Sequence, residues 1–290
     1  MKTTASVSGI LLDVLERMVP SASRRTLRQT LAQGRVCVND EVCIRANHSI
    51  HAGDIVEIGE ARTVAAKLSY GLEVLYEDDA ILVVHKPVNL LSVAAGGERE
   101  RTAYACLRAW LKEHNPRQKL FIVHRLDKFA SGVLVFAKSE QVQERLKVLF
   151  SRHDIERRYL AIVQGVVGKN QGTIRSYLYE DRMMRVHSTD DSSRGKLAIT
   201  HYRVLRRFRD MTSLEVMLET GRKNQIRVHL SDIGHPIVGD RAYGETTKNP
   251  STDPLKRLGL HAFRLGFIHP VTGKSMLFQT DPPPEFVRYL

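Results

Sequence analysis

A chain of 290 residues with 44 Lys and Arg against 32 Asp and Glu carries a formal charge of +12, which favours a polyanionic partner, nucleic acid before a membrane surface. Its length allows one large or two ordinary domains with a sizeable core. Three cysteines without a CxxC pair argue for a reducing, cytoplasmic setting and against a disulfide framework, and the chain offers neither a signal peptide (Ile10–Leu15 is broken by Asp13 and Glu16) nor an apolar run long enough to span a bilayer.

The first sixty residues read as a small unit. Ile10, Leu11, Val14, Leu15 and Met18 recur at helical spacing until Pro20. Ser23 is placed to cap a second helix running to Gln33, with Gly34 at its end. Val36, Val38, Val42 and Ile44 alternate around Asn39-Asp40 as a hairpin, and Gly53-Asp54 leads into a strand over 55–58. Seven basic and seven acidic residues leave this unit neutral, so the excess charge lies beyond residue 60. Yet Arg24, Arg25 and Arg28 share one side of the second helix, Arg35 follows it, and no acid occurs between Arg17 and Asp40. A basic face is expected there.

Residues 61–70 are polar, weakly patterned and expected to link this unit to a second one over 71–290. Strands are predicted at 72–76, 80–85, 132–138, 157–164, 198–208, 212–220 and 259–268, and helices at 102–113, 139–151 and 222–233. The last helix should set Gln225, Val228 and Asp232 on one face and Arg227 on another. Strands outnumber helices without βαβ alternation, which points to an α+β fold on a mixed, largely antiparallel sheet. Residues 183–196, rich in Arg, Ser and Asp, read as an exposed loop. Cys37 and Cys43 read as small buried thiols.

The most informative stretch is His124-Arg125-Leu126-Asp127-Lys128-Phe129-Ala130-Ser131-Gly132. It places one carboxylate between two β runs, beside His124, Arg125 and Lys128, and these cations should keep Asp127 ionised. Taken alone, such an aspartate is most simply a solvated loop residue in an ion pair. Asp78-Asp79 and Asp190-Asp191 read as solvated turn pairs, and His48 with His51 lacks a third metal ligand. His229 and His235 read as structural. No P-loop glycines, HExxH or cysteine cluster occurs to suggest a bound nucleotide or metal ion.

Arg125-Leu126-Asp127 with Ser131-Gly132 resembles the signature of RluA-type RNA pseudouridine synthases. Three other segments resemble the same family in the same order: Leu75–Asp79 with Ile81–Pro87; Glu156–Ala161; and Thr220–Gly244 followed by Leu260–Lys274. Together they cover about residues 70–280. The stretch Ser23–Asp40 resembles the α-L RNA-binding module of several ribosomal proteins and RNA-modifying enzymes.

The resemblance implies a small α-L domain followed by a synthase domain, acting without cofactor on ribosomal or transfer RNA, with large-subunit ribosomal RNA favoured by the extra module. It implies that Asp127 is the essential carboxylate, as nucleophile or base, with Arg227 against it. Tyr159 and Ile226 would hold the two faces of an everted uracil. Arg125 would enter the space the base vacates or contact phosphate, and His124 would lie at the substrate. Arg24, Arg25, Arg28 and Arg35 would bind RNA. Nothing calls for more than a monomer. His85, Asn89, Ala130 and Asn224 depart from the family pattern near the site. A non-catalytic RNA-binding or ribosome-assembly factor and an N-glycosidase are the rival readings.

Overall fold

The computed structural model describes residues 1–32, 35–39, 41–43, 46–59, 66–152, 154–244 and 254–290. Gln33, Gly34, Asp40, Ile44 and linker residues 61–65 lie outside the described residues. The first unit comprises β1 (Lys2–Thr4), β2 (Gly9–Ile10), α1 (Leu11–Met18), α2 (Arg24–Ala32), β3 (Val36–Val38), β4 (Glu41–Val42), β5 (Ser49–Ile50) and β6 (Ile55–Ile58). Ser23 Oγ accepts the Thr26 amide at 3.1 Å, capping α2 as its position promised. Leu11, Leu15, Leu27 and Leu31 bury the facing sides of both helices against Val36, Ile50 and Val56. Asn39 turns the β3–β4 hairpin with φ 51°, and its amide bonds Asp54 Oδ1 and the Ile55 amide, both at 2.9 Å.

One expectation for this unit needs correcting. Arg24 is not part of a free basic face: its guanidinium pairs with Glu16 and Asp13 of α1. The absence of acids along α2 said nothing about α1, which packing brings alongside.

The second unit begins earlier than expected, because Ala66 and Lys67 (β7) already pair with β8 (Glu73–Glu77). There follow β9 (Ile81–Lys86), α3 (Ala103–His114), β10 (Phe121–Ile122), β11 (Ser131–Ala137), α4 (Glu140–Ser151) and β12 (Glu156–Gln164). The chain continues through β13 (Gln171–Glu180), β14 (Val186–Thr189), β15 (Lys196–Arg207), β16 (Met211–Leu218), α5 (Gln225–Asp232), β17 (Leu260–Ile268), β18 (Ser275–Gln279) and α6 (Pro284–Val287). The strands form one sheet in the order β14-β13-β15-β16-β12-β17-β11-β9-β8-β7, with β10 and β18 on side branches. All described pairings are antiparallel except β11 with β17.

The central strands are apolar on both faces, and their period of two sorts the side chains. Leu82, Val84, Leu134 and Phe136 face Leu107 and Leu111 of α3. Ile81, Val83, Val133 and Val135 face Val142 and Leu146 of α4. Ile226 and Leu230 of α5 join Ala161, Val163, Leu214 and Val216 in a third cluster. Helix α5 does not present the two-faced pattern expected of it. Gln225 through Leu230 are all buried while Asp232 is exposed, because β13, β14 and β15 pack against a helix already seated on the core.

Residues 183–196 are likewise not a plain loop, since Val186–Thr189 pairs with Tyr177–Glu180 as a hairpin. Asp78 is not simply solvated either. It takes the Ala80 and Ile81 amides at 2.8 Å and the Tyr76 hydroxyl and His269 ring at 2.9 Å.

Parallel pairing of β11 with β17 brings backbones unusually close at Gly132, whose φ is +125°. A Cβ there would lie 2.1 Å from the carbonyl oxygen of Ala262, so this position tolerates only glycine. Gly132→Ala is expected to cost more than about 3 kcal/mol, read as a fall in thermal unfolding temperature; an unchanged transition would contradict the close approach.

Candidate active site

Asp127 lies in a short turn between β10 and β11, closed by the Ala130 amide on the Asp127 carbonyl at 3.2 Å. The turn is held from below on three sides. Ser92 Oγ donates to the Leu126 carbonyl (2.7 Å) and accepts the Leu126 amide (3.0 Å). Lys86, fully buried at the end of β9, donates from Nζ to the carbonyls of Pro87 and Leu90 at 2.8 Å and of Lys128 at 3.4 Å. Leu126 and Ala130 anchor in two different core clusters, leaving Asp127 suspended between them.

Arg227 reaches Asp127 from α5, but not as a simple pair. Its Nε and one terminal nitrogen donate to the two oxygens of Asp240 at 2.7 and 2.8 Å. Its other terminal nitrogen, NH1, donates to Asn224 Oδ1 at 3.1 Å and stands 3.7 Å from Asp127 Oδ2. Asp240 is fully buried and also accepts the amides of Ala242 and Tyr243. The bidentate fork therefore fixes Arg227, and only the leftover corner of the guanidinium addresses Asp127. Among the described residues, no donor lies within hydrogen-bonding distance of the Asp127 carboxylate. A fifth of its side-chain surface (21%) stays open, enough for a ligand to reach it.

The expected electrostatics are corrected in sign. Burial pushes the Asp127 carboxyl above its usual range, while Arg227, Arg125 and Lys86 pull it back only in part and Asp240 adds to the rise. The cations around it also differ from the expected set. Lys128 instead covers the ring of Phe129 at 5.5 Å. His124 is turned toward α4: its ring lies 4.6 Å from that of Phe150, and Nε2 accepts the Val135 amide at 3.2 Å. Burial lowers His124 to about 3, so it stays neutral. The residue expected at the substrate is committed to packing. Lys86, also pushed down by burial, to about 7, takes the place assigned to these two; its three carbonyl partners match the three protons of its ammonium form.

Tyr159 projects from β12 and packs against both the α3 and the α5 clusters, the second of which contains Ile226. Its phenol is raised by burial and by Asp127, against the opposing pull of Arg157, so it remains protonated. Arg125 is exposed beside Asp127. Asp127, Arg227, Tyr159, Ile226 and Arg125 thus lie in one region of the fold. Arg25, Arg28 and Arg35 are exposed in the first unit, with Arg35 Nε donating to the Gly59 carbonyl at 3.0 Å.

The departures from the family pattern find local reasons. Asn89 and Asn224 both have left-handed backbones, φ 65° and 54°, which asparagine adopts most readily after glycine. Asn224 also donates to the Tyr243 hydroxyl at 3.1 Å. His85 faces Glu73 at 3.4 Å, and Ala130 is buried in the α5 cluster. Asp240, Tyr243, Lys86 and Ser92 belong to the site without having been singled out. Lys86 stands in the Lys-Pro pair, and Asp240 and Tyr243 in the long third block, but only their contacts reveal a role. Among the described residues, no group of three or more His, Cys, Asp or Glu could hold a metal ion, and no helix is long and apolar enough to cross a membrane.

Removing one partner of the buried fork leaves the other charge stranded. Asp240→Ala is therefore expected to cost about 3 kcal/mol or more, measured by denaturant unfolding; a loss under about 1 kcal/mol would mean that Asp240 does not hold Arg227.

Known proteins match both units of the chain. The profile for RNA pseudouridylate synthases matches residues 80–232, just over half of the chain, and that of the S4 domain matches residues 11–56. The chain is 36% identical over 287 residues to the ribosomal large subunit pseudouridine synthase D of Vibrio cholerae, covering 91% of this chain and 85% of that protein. It is 36% identical over 301 residues to the protein of the same name from Xanthomonas campestris, covering 98% and 89%. The solved structure of human RNA pseudouridylate synthase domain containing 4 shares the fold, with a TM-score of 0.61 at 24% identity over 74% of this chain and 90% of that one. With the Asp127 turn, Tyr159 and Arg227 all inside the matched segment, the chain belongs to the RNA pseudouridylate synthase family of isomerases, its synthase domain preceded by an RNA-binding S4 domain.

Proposed function

We propose that this enzyme converts specific uridines of large-subunit ribosomal RNA to pseudouridine in the cytoplasm, acting as a monomer, with Asp127 as the essential carboxylate. The reading is carried by one observation: a half-buried carboxylate that no described residue hydrogen-bonds, facing one corner of an arginine that is held by another acid. The names of the relatives support ribosomal RNA as the substrate class.

In the reaction, the bond from the anomeric carbon to N1 of uracil breaks with its electron pair on the base. The base turns, C5 bonds to the same carbon, C5 loses its proton and N1 gains one. Asp127 serves as nucleophile at the sugar or as base, and in either role it must be ionised. Arg227 NH1 and Lys86 provide positive potential near the departing uracil anion. Tyr159 and Ile226 would keep the detached ring within reach of the sugar. Arg125, exposed at the rim, would replace the extracted base in its stack, offsetting part of the few kcal/mol that flipping costs.

The raised Asp127 pKa has two consequences of opposite sign. Activity needs the ionised form, so the acid limb of kcat/KM should fall through a pH above the usual aspartate value of 3.8. Stability runs the other way. A carboxyl raised on folding favours the fold fully below its unfolded pKa and loses that contribution as pH rises through the folded value. Asp127→Asn should therefore abolish pseudouridine formation at neutral pH yet raise the unfolding temperature by about 2 °C or more. Pseudouridine mapping of total RNA, with wild type, with Asp127→Asn and without the protein, tests the reading. Loss of a large-subunit site in both deficient cases is expected. Loss only from transfer RNA would change the substrate, release of free uracil would indicate a glycosidase, and an unaltered map would leave an RNA-binding factor.

The S4 domain would contribute phosphate contacts through Arg25, Arg28 and Arg35, with Arg24 held back by its pairs to Glu16 and Asp13. Replacing Arg25 and Arg28 by Ala should lower the salt-dependence slope of RNA binding by about 1 to 2. An unchanged slope, measured by titration at several salt concentrations, would remove this face from the interface.

A further inference from the structure

The β13–β14 hairpin ends in the most exposed large apolar side chain among the described residues: Met183 is 88% exposed, and its neighbour Met184 66%. The tip that carries them is not loose. Asp181 Oδ1 accepts the amides of Met183 and Arg185 at 2.9 Å, and Oδ2 meets His187 Nε2 at 2.8 Å. Lys223 pairs with Glu180 and donates to the Met184 carbonyl at 2.9 Å. The hairpin is also bolted to the active site through Tyr243. That ring contacts two guanidinium groups, with Arg185 Cζ 5.5 Å and Arg227 Cζ 5.0 Å from its centroid. Its hydroxyl accepts both the Val186 amide of the hairpin and the Asn224 amide beside Arg227, each at 3.1 Å. Arg185 further donates to the Ala242 carbonyl at 2.7 Å.

A rigid tip that holds apolar side chains out in water, next to exposed Arg182 and Arg185 and fastened to the arginine that addresses Asp127, is built for contact. Arginines at such a tip favour a polyanion over a protein surface. We propose that this hairpin is a second RNA-binding element, in which Met183 packs on the face of an unstacked base flanking the target uridine while Arg182 and Arg185 meet the adjoining phosphates. An unbranched, polarizable thioether suits a base face without demanding one base identity, and RNA recognition commonly works on splayed-out bases of this kind. The inference rests on the reading of the site as one that receives a nucleotide of RNA.

The test uses the full chain and ribosomal RNA from cells lacking the protein. RNA binding is measured for Met183→Glu, Met183→Leu and Val271→Glu in the Asp127→Asn protein, and pseudouridine kinetics for the same three in the active protein. Val271 is an apolar control on the turn before β18, 59% exposed. Met183→Glu is expected to weaken binding and raise KM about tenfold, with kcat held within about threefold, while Met183→Leu stays within about threefold throughout. A binding loss of less than about threefold for Met183→Glu, or an equal loss for Val271→Glu, overturns the proposal. Failure of the unsubstituted enzyme to form any pseudouridine would instead overturn the proposed function, while the binding measurements still decide whether the hairpin contacts RNA.

Discussion

The site depends on how Arg227 is divided. A guanidinium offers five donors in a fixed plane, and here two of them close on Asp240 while the remaining corner bonds Asn224 and faces Asp127. Burying an arginine is costly unless it is paired with good geometry, and Asp240 supplies that pairing away from the reacting position. Asp127 is then free of the role of counter-ion. It keeps a directed positive neighbour at 3.7 Å but no hydrogen bond from the described residues. A carboxylate so placed is less stable than one in water.

The fold keeps this balance by tying the turn and the helix to different parts of one sheet. The Asp127 turn enters β11, whose tight approach to β17 at Gly132 leaves no freedom to slide. Helix α5 is buried on nearly every side, so Arg227 cannot swing toward solvent. Tyr159, on β12 between these regions, touches the core clusters of both and keeps them in register. Tyr243 performs a similar service toward the outside, its ring contacting both Arg227 and Arg185 of the β13–β14 hairpin. Order at the hairpin is thereby mechanically joined to order at the carboxylate.

Much of this was legible in the residues. All seven predicted strands and three predicted helices of the second unit appear within three residues of their expected limits, because central strands buried on both faces give strong apolar runs. Besides the two-residue strands Ala66–Lys67 and Phe121–Ile122, the strands that were missed, Gln171–Glu180, Val186–Thr189 and Ser275–Gln279, lie at or near the sheet margin. Their side chains are mostly exposed or half-buried, which erases the alternation that reveals a strand. Resemblance brought Asp127, Tyr159, Ile226 and Arg227 to one place, yet it also drew in His124, whose ring the structure turns onto Phe150.

The sequence by itself determined the central strands and their helices, the two-unit organisation, the basic character and the family. These rest on local pattern and on motifs that survive as strings. Which charge meets which was decided only by tertiary structure: Arg24 is drawn to α1, Arg227 is shared between Asp240 and Asp127, Lys86 replaces Lys128, and the pKa of Asp127 rises where its neighbours in the chain promised a fall. The reason is that desolvation and ion pairing depend on distances in space. Asp240 and Asp127, 13 and 100 positions from Arg227 along the chain, share its one guanidinium.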